Sequence, residues 1–139
     1  PDKTYFLFDT FEGFDIRDLG KEKDDRFNNT NVDAVLEYIG GDKEKLIVKK
    51  GFFPETTKGM KEESFSLVVL DFDKYEPTLS GLEYFYPLLE KGGFIFVHDY
   101  SSSESDFACS RALDEFLQDK TEKPILIPDA WGSAIIRKL

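Results

Sequence analysis

Short apolar runs alternate along this chain with stretches of helical period. Thr4 to Phe8, Leu46-Ile47-Val48, Ser66 to Leu70 and Phe94 to Val97 read as four strands, the last entered through a Gly92-Gly93 turn. Val32, Val35, Leu36 and Ile39 recur at i, i+3, i+4 and i+7, the stripe of an amphipathic helix; Asn31 or Thr30 can cap it and Gly40-Gly41 can end it. Pro77 suits a helix first turn, with Leu79, Leu82, Tyr86 and Leu89 facing inward and Pro87 kinking or shortening the far end. Ser103 to Asp106 resembles a capping box that opens a helix with Phe107, Leu113, Phe116 and Leu117 inward. Ile125–Ile127 and Ala134–Ile136 make a closing strand pair around residues 129–132. Residues 12–30 are densely charged with few apolar anchors, which reads as a mobile loop or short-helix segment.

These strands are continuous apolar runs separated by helices, the pattern of a parallel sheet covered on both faces. The expected fold class is therefore α/β and Rossmann-like, mostly parallel, with an antiparallel hairpin at the C-terminal end. At 139 residues the chain is one domain's worth, without repeat or linker. With 40% apolar and 15% aromatic residues it is not a disordered chain. A net charge of −10 repels phosphate backbones and anionic lipid, so nucleic acid and membrane are poor partners. Cys109 is the only cysteine, which excludes an intrachain disulfide framework and favours a cytoplasmic protein. The chain begins at Pro1 rather than Met, which fits either Met removal or a piece of a longer protein.

In open α/β sheets ligands bind beyond the carboxyl ends of the strands. Each strand delivers a polar residue or glycine there: Asp9, Gly51, Asp71 with Asp73, and His98-Asp99. Asp71, His98 and Asp99, at adjoining strand ends, are expected to converge on one divalent-ion site, with Asp73 just outside it. Oxygen donors suit Mg²⁺ or a similar hard ion.

The blocks Phe8-Asp9-Thr10-Phe11-Glu12-Gly13, Lys50-Gly51-Phe52-Phe53-Pro54-Glu55-Thr56, Leu70-Asp71-Phe72-Asp73-Lys74-Tyr75-Glu76 and Gly92-Gly93-Phe94-Ile95-Phe96-Val97-His98-Asp99-Tyr100 follow one another as in the macrocin O-methyltransferase (TylF-like) family, which this chain resembles over nearly its whole length. The resemblance implies an S-adenosylmethionine-dependent, metal-dependent O-methyltransferase acting on a hydroxyl of a sugar or other small molecule. It implies that Asp9 takes the ribose hydroxyls of the cofactor and that Gly51 and Phe52 border its adenine. It implies Asp71 and Asp99 as metal ligands and Asp73 as general base, with Lys74 the next candidate. His98 stands where the family usually has Asp, which shifts the metal preference toward transition ions or weakens binding.

The chain departs from the class I pattern in lacking the first strand and its glycine-rich loop, so it reads as part of a larger methyltransferase domain. The strands ending in Asp9 and Asp71 are then expected to pair directly, giving the order 3-2-4-5-7-6, or to take a strand from a second copy in a homodimer. Without that loop the isolated chain is expected to bind S-adenosylhomocysteine weakly or not at all. Two other readings remain open: a catalytically inactive methyltransferase-like binding module, and an Asp-x-Asp metal-dependent phosphoryl or glycosyl transferase.

Overall fold

The computed structural model describes residues 3–40, 43–60 and 63–139. It is α/β, as its sequence pattern requires, and forms two compact units, Pro1–Gly59 and Met60–Leu139.

In the first unit β1 (Tyr5–Asp9) and β2 (Leu46–Lys50) pair in parallel, Asp9 opposite Lys50. Between them run α1 (Ile16–Leu19) and α2 (Val32–Ile39). Asp15 caps the single turn of α1 by accepting from the Arg17 N–H at 2.9 Å, so residues 12–30 do contain a short helix. Asn31 caps α2 through the Ala34 N–H, and Gly40 follows at φ 63, a value that glycine adopts freely. The rest of the expected Gly40-Gly41 stop lies outside the described residues.

The second unit is a four-stranded sheet in the order β3-β4-β6-β5, built from β3 (Phe65–Leu70), β4 (Leu89–Val97), β5 (Ile125–Ile127) and β6 (Ser133–Arg137). β3 and β4 are parallel, linked by α3 (Tyr75–Leu88). β6 runs antiparallel to both β4 and β5, which is the expected terminal hairpin. Val68, Leu70, Ile95, Val97, Ala134 and Ile136 are buried on one face, as are Leu82 and Phe85 of α3 and Ala112 and Leu113 of α4 (Ala108–Phe116).

Several expectations are corrected. The strands ending in Asp9 and Asp71 do not pair: β1 and β3 belong to separate sheets. The sheet of the second unit is not covered on both faces, because Leu67 and Val69 are each 60% exposed and Phe94 41%. Gly92-Gly93 is no turn before a strand but lies inside β4, which starts at Leu89 and shifts register against β3. Gly93 is required there, since a Cβ would stand 2.9 Å from the Glu90 carbonyl oxygen and 3.1 Å from that of Ser66. The inner stripe of α3 is Thr78, Gly81, Leu82 and Phe85, with Leu79 and Tyr86 half-buried; Pro87 sits in the last turn, where it ends the helix without a break. No capping box opens α4. Phe107 holds its N-terminus in the left-handed region at φ 54 and is 48% exposed instead of inward.

The two faces of the sheet differ in energetic weight. Ile95, with no exposure, is expected to cost about 2–5 kcal/mol when cut to Ala. Leu67→Ala on the open face is expected to change stability by no more than about 0.5 kcal/mol. Urea unfolding of both variants checks the contrast.

Candidate active site

In the second unit the parallel register places Leu70 opposite Val97, so the residues that follow each strand emerge side by side. The His98 N–H continues the ladder by donating to the Leu70 carbonyl at 2.9 Å. Asp71 and His98 are thereby neighbours, and Asp99 follows in a tight turn at φ 55. His98 Nδ1 lies 3.3 Å from Asp71 Oδ1 and 3.0 Å from Asp99 Oδ2. One donor atom from each of the three residues falls within 4.8 Å of the others.

This geometry suits a cation better than a hydrogen-bond network. His98 Nδ1 is buried, yet neither carboxylate oxygen is in line for a hydrogen bond with it. Adjacent ligands of an octahedral ion with bonds of about 2.1 Å stand about 3 Å apart, and opposite ones about 4.2 Å. The donor set, two carboxylates and one imidazole, suits a divalent ion of intermediate hardness. Burial is the largest influence on His98 and pulls its pKa down. The adjacent Asp99 carboxylate, with the charges of Asp71 and Asp129, outweighs it, and the net direction is up.

Asp73 lies two residues past Asp71, in the left-handed region at φ 58, just before α3. It is not one of the three converging residues. Gly81 lets α3 close on this bend, since a Cβ there would stand 2.9 Å from the Phe72 ring.

In the first unit Asp9, Gly51 and Phe52 lie at the carboxyl ends of β1 and β2. The Gly51 N–H donates to the Asp9 carbonyl at 3.0 Å, and the exposed Asp9 carboxylate accepts the Phe11 N–H at 2.6 Å. Arg17, which the sequence pattern does not single out, also lies here. Its guanidinium carbon stands 3.5 Å from the centroid of the Phe52 ring, while its nitrogens bond Asp15 and Glu55. Hydrogen bonds from Arg17 hold the Asp15 pKa down, to about 2. No sequence signal links positions 17 and 52.

Among solved structures, the chain is similar to the O-methyltransferase NovP, with a TM-score of 0.79, 19% identity, and coverage of 99% of this chain and 61% of that one. It is also similar to apo CalS11, described as a TDP-rhamnose 3'-O-methyltransferase of calicheamicin biosynthesis, with a TM-score of 0.65, 20% identity, and coverage of 96% of this chain and 58% of that one. At these identities the likeness establishes the Rossmann-like methyltransferase fold. A curated relative from Streptomyces olivaceus, the 8-demethyl-8-(2,3-dimethoxy-alpha-L-rhamnosyl)-tetracenomycin-C 4'-O-methyltransferase, is 33% identical over 85 residues, 61% of this chain and 31% of that protein. The chain thus spans about a third of that relative and about three fifths of the two solved proteins. The sequence profile of one family, Macrocin-O-methyltransferase (TylF), matches residues 1–137, and it is to this family that the chain belongs.

Proposed function

We propose that this chain carries the catalytic groups of an S-adenosylmethionine-dependent, metal-assisted O-methyltransferase whose acceptor is a sugar hydroxyl. The convergence of Asp71, His98 and Asp99, with Asp73 two residues past Asp71, is the observation that supports it most. The activities of the tetracenomycin and TDP-rhamnose enzymes support a deoxysugar as the acceptor.

In this reading Asp9, exposed at the end of β1, accepts hydrogen bonds from the two ribose hydroxyls of the cofactor. The Gly51 backbone and the Phe52 ring border the adenine. S-adenosylmethionine supplies an electrophilic methyl group on sulfur. Asp71, His98 and Asp99 would hold a divalent ion, Mg²⁺ or a transition ion, which lowers the pKa of an alcohol placed beside it. Asp73 would accept the proton of the acceptor hydroxyl as its oxygen takes the methyl and the sulfur–methyl bond breaks to leave S-adenosylhomocysteine, so the alcohol never carries a full positive charge. An alcohol ionises far above neutral pH, and a positioned carboxylate removes most of that barrier only with the hydroxyl in hydrogen-bond reach.

The test is methyl transfer to TDP-rhamnose by the polypeptide that carries this chain, with S-adenosylmethionine and Mg²⁺, read by mass spectrometry. A methylated sugar is expected, and loss of product with EDTA. Product formation that ignores EDTA would remove the metal from the reading.

His98 also sets a pH signature. Only neutral imidazole binds a metal, and this His98 holds its proton to a higher pH than the ordinary value of about 6.5. Mn²⁺ affinity, followed by electron paramagnetic resonance, is expected to rise between pH 6 and pH 8.5 and to lose that rise in His98→Asp.

A further inference from the structure

Trp131, the only tryptophan, sits in the loop between β5 and β6 and is 43% exposed. Among the described residues its indole N–H donates no hydrogen bond and its ring stacks on no other. An exposed indole on a loose loop would mean little, but this loop is fastened. The Ser101 N–H donates to both the Trp131 carbonyl, at 3.0 Å, and the Gly132 carbonyl, at 2.9 Å. Gly132, at φ 67, packs so closely that a Cβ would lie 2.5 Å from Ser101 Cβ and Oγ. On the other side the Asp129 carboxylate accepts from both the backbone N–H and the hydroxyl of Ser133, which is almost fully buried.

These fastenings lead to the metal-ligand cluster. Ser101 is two residues past Asp99, and Asp129 is close enough for its charge to act on His98. The loop's backbone is therefore fixed against the turn that carries two of the three converging residues. An acceptor hydroxyl reaching that cluster brings its ring to the same end of the sheet. A deoxysugar ring presents C–H groups and a methyl on one face, and such a surface stacks on a flat, polarisable indole.

Resting on the sugar reading above, we propose that Trp131 is the stacking platform for the acceptor's deoxyhexose ring and so a specificity-determining residue. It touches the sugar and takes no part in proton transfer or metal binding. Its selectivity is for a ring with an apolar face, and it orients that ring so that one hydroxyl meets Asp73.

The emission of Trp131 is read as the difference between wild type and Trp131→Phe. The polypeptide that carries this chain, with Mg²⁺ present, is titrated with TDP-rhamnose while tryptophan emission is followed, and with TDP alone as control. A saturable change with TDP-rhamnose and none with TDP is expected. By calorimetry Trp131→Ala should weaken TDP-rhamnose binding about tenfold or more, and Trp131→Phe should restore most of it. Mn²⁺ affinity and thermal midpoint should stay at wild-type values in both variants. Unchanged sugar affinity in Trp131→Ala, an emission change that TDP alone reproduces, or a parallel loss of Mn²⁺ affinity would each overturn the assignment of Trp131. No binding of TDP-rhamnose by the wild type would instead overturn the sugar reading, and this inference with it.

Discussion

Asp73→Asn is expected to lower kcat by about 10²- to 10⁴-fold while leaving S-adenosylhomocysteine and Mn²⁺ affinities within about threefold of wild type. The substitution keeps the shape of the side chain and removes only its capacity to take a proton. It also suits the backbone: position 73 has φ 58, a conformation in which Asn is as comfortable as Asp and most residues are strained. A fall in turnover is then a chemical loss, free of a folding cost. The groups assigned to the ribose and the metal are other residues, at position 9 and in the 71–98–99 cluster. Steady-state kinetics with separate calorimetric titrations reads the two sides. Near-normal turnover would move the base elsewhere, first to Lys74, the N-cap residue of α3.

What was legible in the sequence follows from how local each signal is. The strands and α2 announce themselves by runs and spacing, and Asn31 caps as its type suggests. Asp71, His98 and Asp99 were legible because consecutive parallel strands, once recognised, set their ends side by side. The start of α4 is not legible, because Ser103 to Asp106 has the composition of a cap while no side-chain cap bond forms and Phe107 takes the left-handed position at the helix start. Gly92-Gly93 looked like a turn because glycine weakens strands, yet here it lets β4 bend past the backbone of β3. Leu67 and Val69 have the composition of core residues, and only the sheet's packing shows which face is covered. The Arg17–Phe52 stack and the tie between Ser101 and the Trp131 loop join positions 30 or more residues apart, and periodicity carries no information at that range.

Asp99→Asn is expected to weaken Mn²⁺ binding by about 100-fold or more without lowering the thermal midpoint of the metal-free protein. Asp99 is the most enclosed of the three converging side chains, with 11% exposure against 34% for His98 and 63% for Asp71. Its carboxylate therefore contributes the charge least shielded by water, and a hard cation loses most when it becomes a neutral amide. Its φ of 55 again makes Asn the fitting replacement, where Ala would add backbone strain. In the metal-free protein the balance reverses. Two carboxylates within 4.8 Å repel by roughly 3 kcal/mol at an effective dielectric of about 20, and by less where one is as exposed as Asp71. An amide at position 99 removes one of the two charges and with it this repulsion. A structural aspartate would behave in the opposite way, since its loss would lower the midpoint whether or not metal is present. Thermal scans with and without Mn²⁺ separate the two cases. The wild type should gain stability on adding the ion, the variant should gain little, and the metal-free variant should melt no lower than the metal-free wild type.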